Sequence, residues 1–251
     1  MDPLDVLYNQ HGIVVLNKPS GVAVHRGWCR DRVTVMSLLR DQLGLYVYPA
    51  HRLDRGSSGA LVFTLTSELA REVQTAMSAD YAAKNYLCLT RGIVPDKGII
   101  DHALRKSKDH DKRPAQTAYQ RLASFERYSL VSTSLLTGRV HQIRRHMKHI
   151  SHPMIGDTKY GKGEHNRVFR ERFDLHRLAL HSYAVRFVNP VDGTPLQVRA
   201  PLPADLSVPL GKIGLSAAAE ASIAAGSWLP NSDFPLHPTI DHSGAGREST
   251  E

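Results

Sequence analysis

The chain has 251 residues, of which 41% are apolar and 22% charged, so it can bury a sizeable core and is neither a disordered nor a membrane-embedded protein. It carries 32 Lys and Arg against 24 Asp and Glu, which gives a net charge of +8. The excess lies in residues 101–190, which have 18 basic and 8 acidic side chains, whereas residues 191–251 have 3 and 7. This concentration of positive charge predicts a polyanionic partner, most simply a nucleic acid. The alternative is an ordinary solvated Lys/Arg surface.

Secreted, membrane-spanning and disulfide-rich proteins are also excluded. The longest apolar runs have about five residues, whereas a transmembrane helix needs roughly 20. The first ten residues, MDPLDVLYNQ, contain two aspartates and lack the basic and apolar regions of a secretory signal. Cys29 and Cys88 are the only cysteines, which excludes a disulfide framework and a Cys-based zinc site. We therefore expect a cytoplasmic protein with two reduced thiols.

Hydrophobic periodicity and turn residues predict a succession of strands and helices. In chain order, the predicted elements are a strand at 13–16, a helix that begins after Thr34, a strand at 60–66, a helix capped by Ser67, a strand at 86–90, two β-rich stretches within 117–136, a helix with Val140, Ile143, Met147 and Ile150 on its apolar face, and strands at 178–188 and 196–200. Helices and antiparallel hairpins without a regular βαβ repeat favour an α+β fold.

The C-terminal part of the chain differs in composition. After Gly211 the sequence becomes Ala- and Ser-rich and then Pro-rich, and it has no clear periodicity beyond Trp228. We therefore divide the chain into a domain at residues 1–212 and a C-terminal extension at 213–251. Roughly the last 20–25 residues are expected to be loosely held.

The first unusual segment is residues 51–59, HRLDRGSSG, directly before the predicted strand at 60–66. Asp54 lies between Arg52 and Arg55, and adjacent positive charge favours an ionised carboxylate. Arginine cannot lose its own charge to relieve such a cluster. The segment indicates a functional carboxylate in a basic loop, and a plain loop salt bridge with glycines in the turns is the alternative.

The second segment is residues 84–92, KNYLCLTRG, which contain a predicted strand. Because alternate residues of a strand face the same way, Lys84 and Tyr86 share one face. A tyrosine in a site can stack on a base and can also offer its hydroxyl for proton transfer. The alternative for Tyr86 is a half-exposed tyrosine that packs on the sheet.

The third segment is residues 137–149, TGRVHQIRRHMKH, where a glycine turn leads into a helix with four cations and three histidines. Such a helix suits contacts with phosphates, which position an RNA without reading its sequence. Zinc binding is the competing interpretation. The histidine spacings of five and three differ from the i, i+4 pair of HExxH, and no Glu or Cys is nearby, so we expect no metal site.

Taken in this order, the three segments resemble the RluA-type family of RNA pseudouridine synthases. HRLDRGSSG is similar to the family's catalytic HRLDRxTSG motif, with Ser57 where threonine is usual, and TGRVHQIRRH matches the TGRxHQIRxH motif without departure. KNYLCLTRG resembles the KxYxAxVxG strand, with Cys88 and Thr90 at its small and branched positions. Further matches lie at residues 13–21, 152–157 and 177–181. The resemblance as a whole covers residues 5–205.

The resemblance implies the pseudouridine synthase fold, an α+β architecture with a mixed, mostly antiparallel central sheet and a cleft that carries the active site. Residues 1–212 would be the catalytic domain, without the small S4-like RNA-binding domain that many ribosomal members carry in front. The chain is most similar to the synthases that modify uridine 65 of tRNA. The alternatives are an rRNA-directed synthase of the same family, a non-catalytic RNA-binding protein and a zinc hydrolase.

The resemblance also implies a mechanism. Pseudouridine formation breaks the N1–C1′ bond of a uridine, turns the base and rejoins it through C5 without redox chemistry, so we expect no cofactor. Asp54 is expected to stabilise or trap the positive C1′, Arg144 to hold Asp54 ionised, and Tyr86 to stack on the flipped uracil near C5. The residues expected to contact RNA are Arg52, Arg55, Lys84, Arg139, His141, Gln142, Arg145 and Lys148. The expected partner is tRNA or another structured RNA, and we expect a monomer away from membranes.

Overall fold

The described part of the chain folds around a mixed sheet of ten strands and contains six helices; the computed structural model describes residues 3–26, 33–107, 110–230 and 233–237. The strands are β1 (Asp5–Gln10), β2 (Ile13–Lys18), β3 (Tyr48–Pro49), β4 (Ser58–Thr64), β5 (Ala83–Arg91), β6 (Lys97–Asp101), β7 (Leu104–Arg105), β8 (Lys112–Arg113), β9 (Gln116–Phe125), β10 (Tyr128–Leu135), β11 (Leu180–Val188) and β12 (Pro195–Arg199). The helices are α1 (Val35–Leu43), α2 (Ser67–Ala76), α3 (Gln142–His149), α4 (Gly163–Phe173), α5 (Ala204–Lys212) and α6 (Ser216–Ala225). None of these helices is long and apolar enough to cross a membrane.

The order of the strands determines which loops meet. The sheet runs β1-β2-β4-β11-β5-β10-β9-β6, with β12 paired to β11 and β3 to β4, while β7 and β8 form a separate hairpin. Among the strands named above, β4 and β11 are the one parallel pair, and the other pairs are antiparallel. This arrangement confirms the predicted α+β fold with a mixed, mostly antiparallel sheet.

The close approach of β4 and β11 depends on Gly59. Its φ is 109°, which L side chains rarely adopt, and a Cβ atom there would lie 2.1 Å from the carbonyl oxygen of Ser182. Gly59 and Ser182 are partners in the parallel ladder. Any side chain at residue 59 would therefore push apart the two central strands beside the loop that carries Asp54.

Most predicted elements are present, with small shifts at their ends. The predicted cap of α1 is confirmed, because the Thr34 hydroxyl accepts a hydrogen bond from the backbone N–H of Ser37. The predicted cap of α2 is wrong, because Thr66 rather than Ser67 accepts from the backbone N–H of Leu69, at 3.2 Å. Thr66 has the extended backbone that an N-cap needs, whereas Ser67 is already helical.

Helix α3 begins later than the apolar pattern predicts. His141, directly before the helix, has a left-handed backbone with a φ of 53°, so the helix cannot extend through it. Val140 therefore precedes the helix and is 38% exposed, and its predicted place on the apolar face is wrong. The buried apolar side chains are Ile143 and Met147, followed by Ile150 at the C-cap.

Strand β5 lies between β11 and β10, and it is buried on both faces because an apolar cluster packs against each face. Tyr86 and Cys88 belong to one apolar cluster, and Leu87 and Leu89 belong to another. Side chains of β5 thus alternate between the two faces of the sheet, which confirms the prediction that Lys84 and Tyr86 share one face. It also shows that Tyr86 is a buried strand residue rather than a half-exposed one.

The segment after residue 212 contributes to the core. Ile213 and Leu215 are buried in the same apolar cluster as the side chains of α4 and α5. The stretch expected to be loosely held lies largely outside the described residues, which omit 231–232 and 238–251. Within it, residues 233–237 run beside β6, where the backbone N–H of Ile99 donates to the carbonyl of Pro235 at 2.7 Å.

His146 is fully buried on α3 and is held in its neutral form. Gln142 Nε2 donates to Thr117 Oγ1 at 2.9 Å, so the Thr117 hydroxyl donates in turn to Nδ1 of His146, also at 2.9 Å. The proton of the imidazole then lies on Nε2, which donates to the carbonyl of His102 at 3.0 Å. Burial lowers the pKa of His146 to about 4. A second proton, on Nδ1, would point at the Thr117 oxygen, which already accepts a hydrogen bond from Gln142, so the protonated form of His146 is disfavoured.

His181 on β11 repeats this pattern and is also fully buried. Arg177 Nη2 donates to Ser58 Oγ at 2.8 Å, and the Ser58 hydroxyl donates to Nδ1 of His181 at 2.8 Å. The Nε2–H of His181 donates to the carbonyl of Ala200 at 3.1 Å. Burial lowers the pKa of His181 to about 4, and the positive charge of Arg177 adds to this effect.

The protein is expected to lose stability as the pH falls from about 6.5 to about 4, the interval between the unfolded and folded pKa values of His146 and His181. There the unfolded chain binds protons that the folded chain does not, so each histidine lowers the free energy of unfolding by about 1.4 kcal/mol per pH unit. Urea denaturation above and within this interval measures the effect. His146→Gln should reduce the slope, whereas His176→Gln, at an exposed site, should not. A free energy of unfolding that stays constant across the interval would contradict the prediction.

Candidate active site

The loop between β3 and β4 carries Asp54 and is closed by a tight turn. The backbone N–H and the hydroxyl of Ser57 both donate to the carbonyl of Asp54, at 3.1 and 2.8 Å. A serine is sufficient for these two hydrogen bonds, so the departure of Ser57 from the threonine of the resembled motif does not disturb the turn. The Asp54 side chain is 18% exposed and lies at the edge of a cleft.

Lys18, the last residue of β2, holds the same loop through its backbone. Its buried ammonium donates to the carbonyls of Pro19 and Ser57, both at 2.8 Å, and to that of Arg55 at 3.3 Å. Burial lowers the pKa of Lys18 to about 7, so Lys18 loses its proton more readily than an exposed lysine would. The loop then loses one of the hydrogen bonds that Lys18 donates. The sequence predicts no role for Lys18, and a lysine at the end of a strand that begins with the apolar run 13–16 is the signal that could have found it.

Tyr86 reaches the cleft from β5. Only β11 separates β5 from β4, so the Asp54 loop and the side chain of Tyr86 meet on one side of the sheet. Burial raises the pKa of the Tyr86 hydroxyl well above its usual value, so the phenol is neutral. Lys84 shares this face, but its Nζ donates to the carbonyl of Met77 at 2.8 Å and burial lowers its pKa. Lys84 therefore lines the cleft with its charge engaged inside the protein.

Arg144 links two carboxylates. Its Nη1 donates to Oδ2 of Asp54 at 2.8 Å, and its Nε and Nη2 donate to the two oxygens of Asp157 at 2.8 and 2.9 Å. Burial opposes the charge of Arg144, but the hydrogen bonds to Asp157 and Asp54 outweigh burial and raise its pKa. The structure thus brings Asp54 and Arg144 together, as the sequence predicts. The arginines beside Asp54 in the chain, Arg52 and Arg55, are exposed.

Asp157, in the loop before α4, is the second partner of Arg144 and was not predicted from the sequence. Its side chain is 0% exposed, and Oδ1 also accepts from the backbone N–H groups of Lys159 and Tyr160, both at 2.9 Å. Burial favours its neutral form, but the hydrogen bonds from Arg144 and the two N–H groups lower its pKa overall. The sequence feature that could have found Asp157 is the segment 152–157, HPMIGD, which resembles the family and ends in an aspartate after a glycine.

His141 lines the cleft next to Asp54, and Tyr160 packs behind it. Nε2 of His141 lies 3.8 Å from Oδ1 of Asp54, and Nδ1 lies 3.1 Å from the Tyr160 hydroxyl. Three cations lie near the Tyr160 ring: Arg144 at 5.1 Å from the ring centroid, Lys148 at 5.9 Å and Lys159 at 5.5 Å. Tyr160 therefore connects the imidazole of His141 to the arginine that holds Asp54. Nothing in the sequence pattern singled out this tyrosine.

The cleft consists of two adjoining hollows of about 70 and 260 Å³. The residues that line both are Arg52, Asp54, Tyr86, Leu135, Arg139 and His141. Arg139 is fixed there because its Nε donates to the carbonyl of Pro114 at 3.0 Å. A flat polar ligand in this cleft could contact a carboxylate, a phenol and an imidazole at once.

Gln142 was expected to contact RNA, but it is buried and its amide is fully engaged within the protein. Its Oε1 accepts from the Thr137 hydroxyl at 2.7 Å and from the backbone N–H of Arg139 at 2.9 Å. Its Nε2 donates to the Gln116 carbonyl and to Thr117 Oγ1, both at 2.9 Å. This placement gives Gln142 the role of a brace for the turn before α3 and does not fit a direct contact with RNA.

Three of the expected RNA-binding cations lie outside the cleft. Arg145 Nη1 donates to the carbonyl of Arg105 at 2.7 Å, and Arg145 and Lys148 line a neighbouring hollow of about 360 Å³. Arg55 is exposed on the far side of its loop, where its Nε donates to the carbonyl of Gly21 at 2.9 Å. The structure therefore separates the expected RNA contacts into a group at the cleft and a group around it.

Within the described ranges, no three His, Cys, Asp or Glu side chains are grouped so that they could hold a metal ion. The histidines of α3 have other partners: His146 is hydrogen-bonded in the core, and His149 stacks on His102 with ring centroids 3.7 Å apart. Cys88 is buried, and Cys29 lies outside the described residues. Asp54, Tyr86, His141 and Arg144 are among the polar side chains that line the cleft.

Comparison with known proteins places this site in a family. The chain is 40% identical to tRNA pseudouridine synthase C of Vibrio parahaemolyticus over 220 residues, which are 78% of this chain and 89% of that protein. It is 42% identical to the protein of the same name from Haemophilus ducreyi over 209 residues, 74% of this chain and 86% of that protein. The solved structure of human RNA pseudouridylate synthase domain containing 4, which is 22% identical, has the same fold: it matches with a TM-score of 0.69 over 84% of this chain and 93% of that chain.

Residues 12–149, over half of the chain, match the family model described as RNA pseudouridylate synthase. This stretch contains Asp54, Tyr86 and Arg144, which lie together at the cleft. The chain therefore belongs to the RNA pseudouridine synthase family.

Proposed function

We propose that this protein converts a uridine of tRNA, at position 65, to pseudouridine. The observation that carries the proposal is the hydrogen bond between Asp54 and Arg144 at the edge of a cleft that Tyr86 also lines. The relatives from Vibrio parahaemolyticus and Haemophilus ducreyi are named as tRNA pseudouridine synthases, which supports tRNA as the substrate. Position 65 follows from the resemblance of the sequence to synthases that modify that uridine.

Asp54 acts on the sugar in this proposal. Breaking the N1–C1′ bond leaves positive charge at C1′, which a carboxylate can stabilise or trap. Arg144 orients the carboxylate and cannot turn away, because its other nitrogens are bound to Asp157. Glycoside hydrolysis usually needs two carboxylates to activate water and protonate the leaving group. The isomerisation returns the base to the same sugar without water, so one carboxylate is sufficient.

Tyr86 acts on the base. A uridine inside a folded RNA must first leave its stack, at a cost of a few kcal/mol, and the ring of Tyr86 offers a face on which the uracil can stack. The hydroxyl of Tyr86 is neutral, so it relays the proton that leaves C5 rather than removing it as a phenolate. Arg52 is exposed at the mouth of the cleft, where it can occupy the position that the flipped base vacates or bind its phosphate.

The cations around the cleft bind the RNA backbone in this proposal. Arg52 and Arg139 lie at the cleft, and Arg145 and Lys148 lie in the neighbouring hollow. Such contacts position the RNA and make its binding depend on salt concentration. We further propose that the protein acts in the cytoplasm, as a monomer and without a cofactor, since the isomerisation is redox-neutral. Light scattering of the purified protein tests the oligomeric state.

Release of tritium from RNA that contains 5-tritiated uridine tests the proposed reaction. Conversion exchanges the hydrogen at C5 with water, whereas a protein that only binds RNA releases none. Mapping of pseudouridine in tRNA and rRNA from a strain that lacks the gene then identifies the target, and we expect uridine 65 of tRNA to remain unmodified. Loss of a pseudouridine from rRNA alone would establish the rRNA-directed alternative. Absence of tritium release from both RNAs would overturn the proposal.

Tyr86→Phe is expected to slow the release of the C5 proton by at least about 100-fold, because the ring keeps its stacking face but loses the group that relays the proton. Single-turnover tritium release measures this rate, and RNA affinity should stay within about threefold because stacking and phosphate contacts remain. Tyr81→Phe, at a half-exposed position away from the cleft, is the matched control and should have the wild-type rate. Equal rates for wild type and Tyr86→Phe would remove Tyr86 from proton transfer.

A further inference from the structure

His141 is the one imidazole that lines both hollows of the cleft, among the residues that the structure describes. Its side chain is 24% exposed, its backbone directly before α3 is left-handed with a φ of 53°, and its Nε2 lies 3.8 Å from Oδ1 of Asp54. A residue with a side chain adopts this conformation at some cost in free energy. The fold therefore keeps the imidazole close to the carboxylate at the cost of backbone strain at His141.

The charges around the ring decide which nitrogen of His141 carries the proton. The Asp54 carboxylate lies 3.8 Å from Nε2, so it attracts an N–H there and repels a lone pair. The Tyr160 hydroxyl, 3.1 Å from Nδ1, can donate to that nitrogen. Burial lowers the pKa of His141 below its usual value; Asp54 opposes this effect, and Arg144 and Lys159 add to it. A neutral ring with its proton on Nε2, at the cleft, is the arrangement that satisfies all of these contacts.

This arrangement does not suit the phosphate contact that the sequence predicted for His141. A phosphate at Nε2 would lie against the Asp54 carboxylate, and two anions in a half-buried site repel each other strongly. A neutral N–H beside a carboxylate suits a partner that arrives uncharged and gains negative charge during the reaction. The uracil ring is such a partner, because it leaves the sugar with the electrons of the broken bond.

We propose that His141 is a catalytic residue whose Nε2–H donates a hydrogen bond to the uracil as the N1–C1′ bond breaks. Tyr160 is its positioning residue, because the hydroxyl of Tyr160 keeps the proton of His141 on Nε2. The inference rests on the proposed function, since it assigns a second group to the same cleft: Asp54 faces the positive sugar, and His141 faces the negative base.

The step is balanced without any proton transfer. The electron pair of the N1–C1′ bond leaves with the uracil, whose negative charge spreads over N1, O2 and O4. The positive C1′ is stabilised by Asp54 or bonds to its oxygen. The hydrogen bond from His141 strengthens as the charge on the uracil grows, so it lowers the barrier more than it tightens the binding of the substrate.

Two substitutions that differ by one methylene group test this role. Asparagine tolerates the left-handed backbone, but its amide is too short to reach the cleft, so His141→Asn removes the donor. His141→Gln carries an amide N–H towards the position of Nε2. We expect single-turnover conversion of uridine to fall about 100-fold in His141→Asn and to stay within about tenfold of the wild type in His141→Gln. RNA affinity, which reports that both variants are folded, should change less than about threefold.

RNA that contains 5-fluorouridine separates a leaving-group role from a structural one. Fluorine withdraws electrons and stabilises the uracil anion, so cleavage of the N1–C1′ bond depends less on the donor. We expect His141→Asn to slow this cleavage by no more than about tenfold, against about 100-fold for uridine. Tyr160→Phe, which keeps the ring under its three cations but removes the hydroxyl, should show the same difference between substrates on a smaller scale.

Equal slowing with both substrates would overturn the inference, and so would unchanged conversion of uridine by His141→Asn. A loss of RNA affinity in proportion to the loss of rate would return His141 to the group of RNA contacts and overturn it as well. A wild-type protein that releases no tritium from any RNA would instead overturn the proposed function, so the two failures can be told apart.

Discussion

Asp54→Asn is expected to reduce conversion of uridine by about 10⁴-fold or more, while RNA affinity stays within about threefold. Asparagine has nearly the shape of aspartate, and its Oδ1 can still accept the hydrogen bond from Arg144, so the loop should keep its structure. The substitution removes the negative charge that would stabilise or trap C1′. Single-turnover tritium release measures the rate, and filter binding with unmodified tRNA measures the affinity.

A second aspartate that pairs with an arginine supplies the control. Asp205 accepts from Arg177 Nη1 at 2.8 Å and is 52% exposed, away from the cleft. Asp205→Asn removes one charge from an ion pair in the same way, and it should keep the wild-type rate. Substantial turnover by Asp54→Asn would remove the carboxylate from the chemistry, and equal losses in both variants would mean that the effect is not specific to the cleft.

The sequence predicts well those features that depend on near neighbours in the chain. The hydroxyl of Thr34 caps α1 because it lies three residues before a free backbone N–H, and this relation is visible in the sequence. The shared face of Lys84 and Tyr86 follows from the period of two of a strand. The error at Ser67 arose because two hydroxyl residues are adjacent, and only the backbone angles distinguish the cap from the first helical residue.

The meeting of Asp54 and Arg144 has a different origin. The two residues are 90 positions apart. Asp54 lies in the loop before β4 and Arg144 on α3, which follows β10, and the strand order β4-β11-β5-β10 brings them to one side of the sheet. No periodicity in the sequence encodes a strand order in which β11 enters between two earlier strands. The pair was therefore predictable only through the resemblance to a family, and the distance of 2.8 Å comes from the structure alone.

Burial accounts for what the sequence could not predict. Gln142 and His141 are both polar residues beside an array of cations, so the pattern assigns both to RNA. The structure uses the first as a buried brace and places the second, which has a left-handed backbone, next to Asp54. Asp157 is a single carboxylate in a loop, and nothing local shows that a guanidinium 13 positions earlier will bind both of its oxygens.

Asp157→Asn is expected to lower the free energy of unfolding by about 3 kcal/mol, because it leaves Arg144 with one charged partner in a buried site. The asparagine amide would also place N–H donors against the backbone N–H groups of Lys159 and Tyr160 or against the guanidinium. For a chain of this length the melting temperature should fall by about 6–12 °C. Conversion should fall by about 10- to 100-fold, because Arg144 then positions Asp54 less well.

Asp54→Asn and Asp157→Asn form a matched pair, since each removes one negative charge from the same arginine. The Asp54 side chain is 18% exposed and can be solvated, whereas that of Asp157 is 0% exposed, so only the second substitution leaves an uncompensated buried group. The first variant should therefore lose the reaction and keep its melting temperature, and the second should lose stability and keep measurable turnover. A complete loss of activity in Asp157→Asn without a lower melting temperature would mean that Asp157 acts on the RNA directly. Its burial argues against that outcome, because a group without exposed surface can reach the substrate only through Arg144.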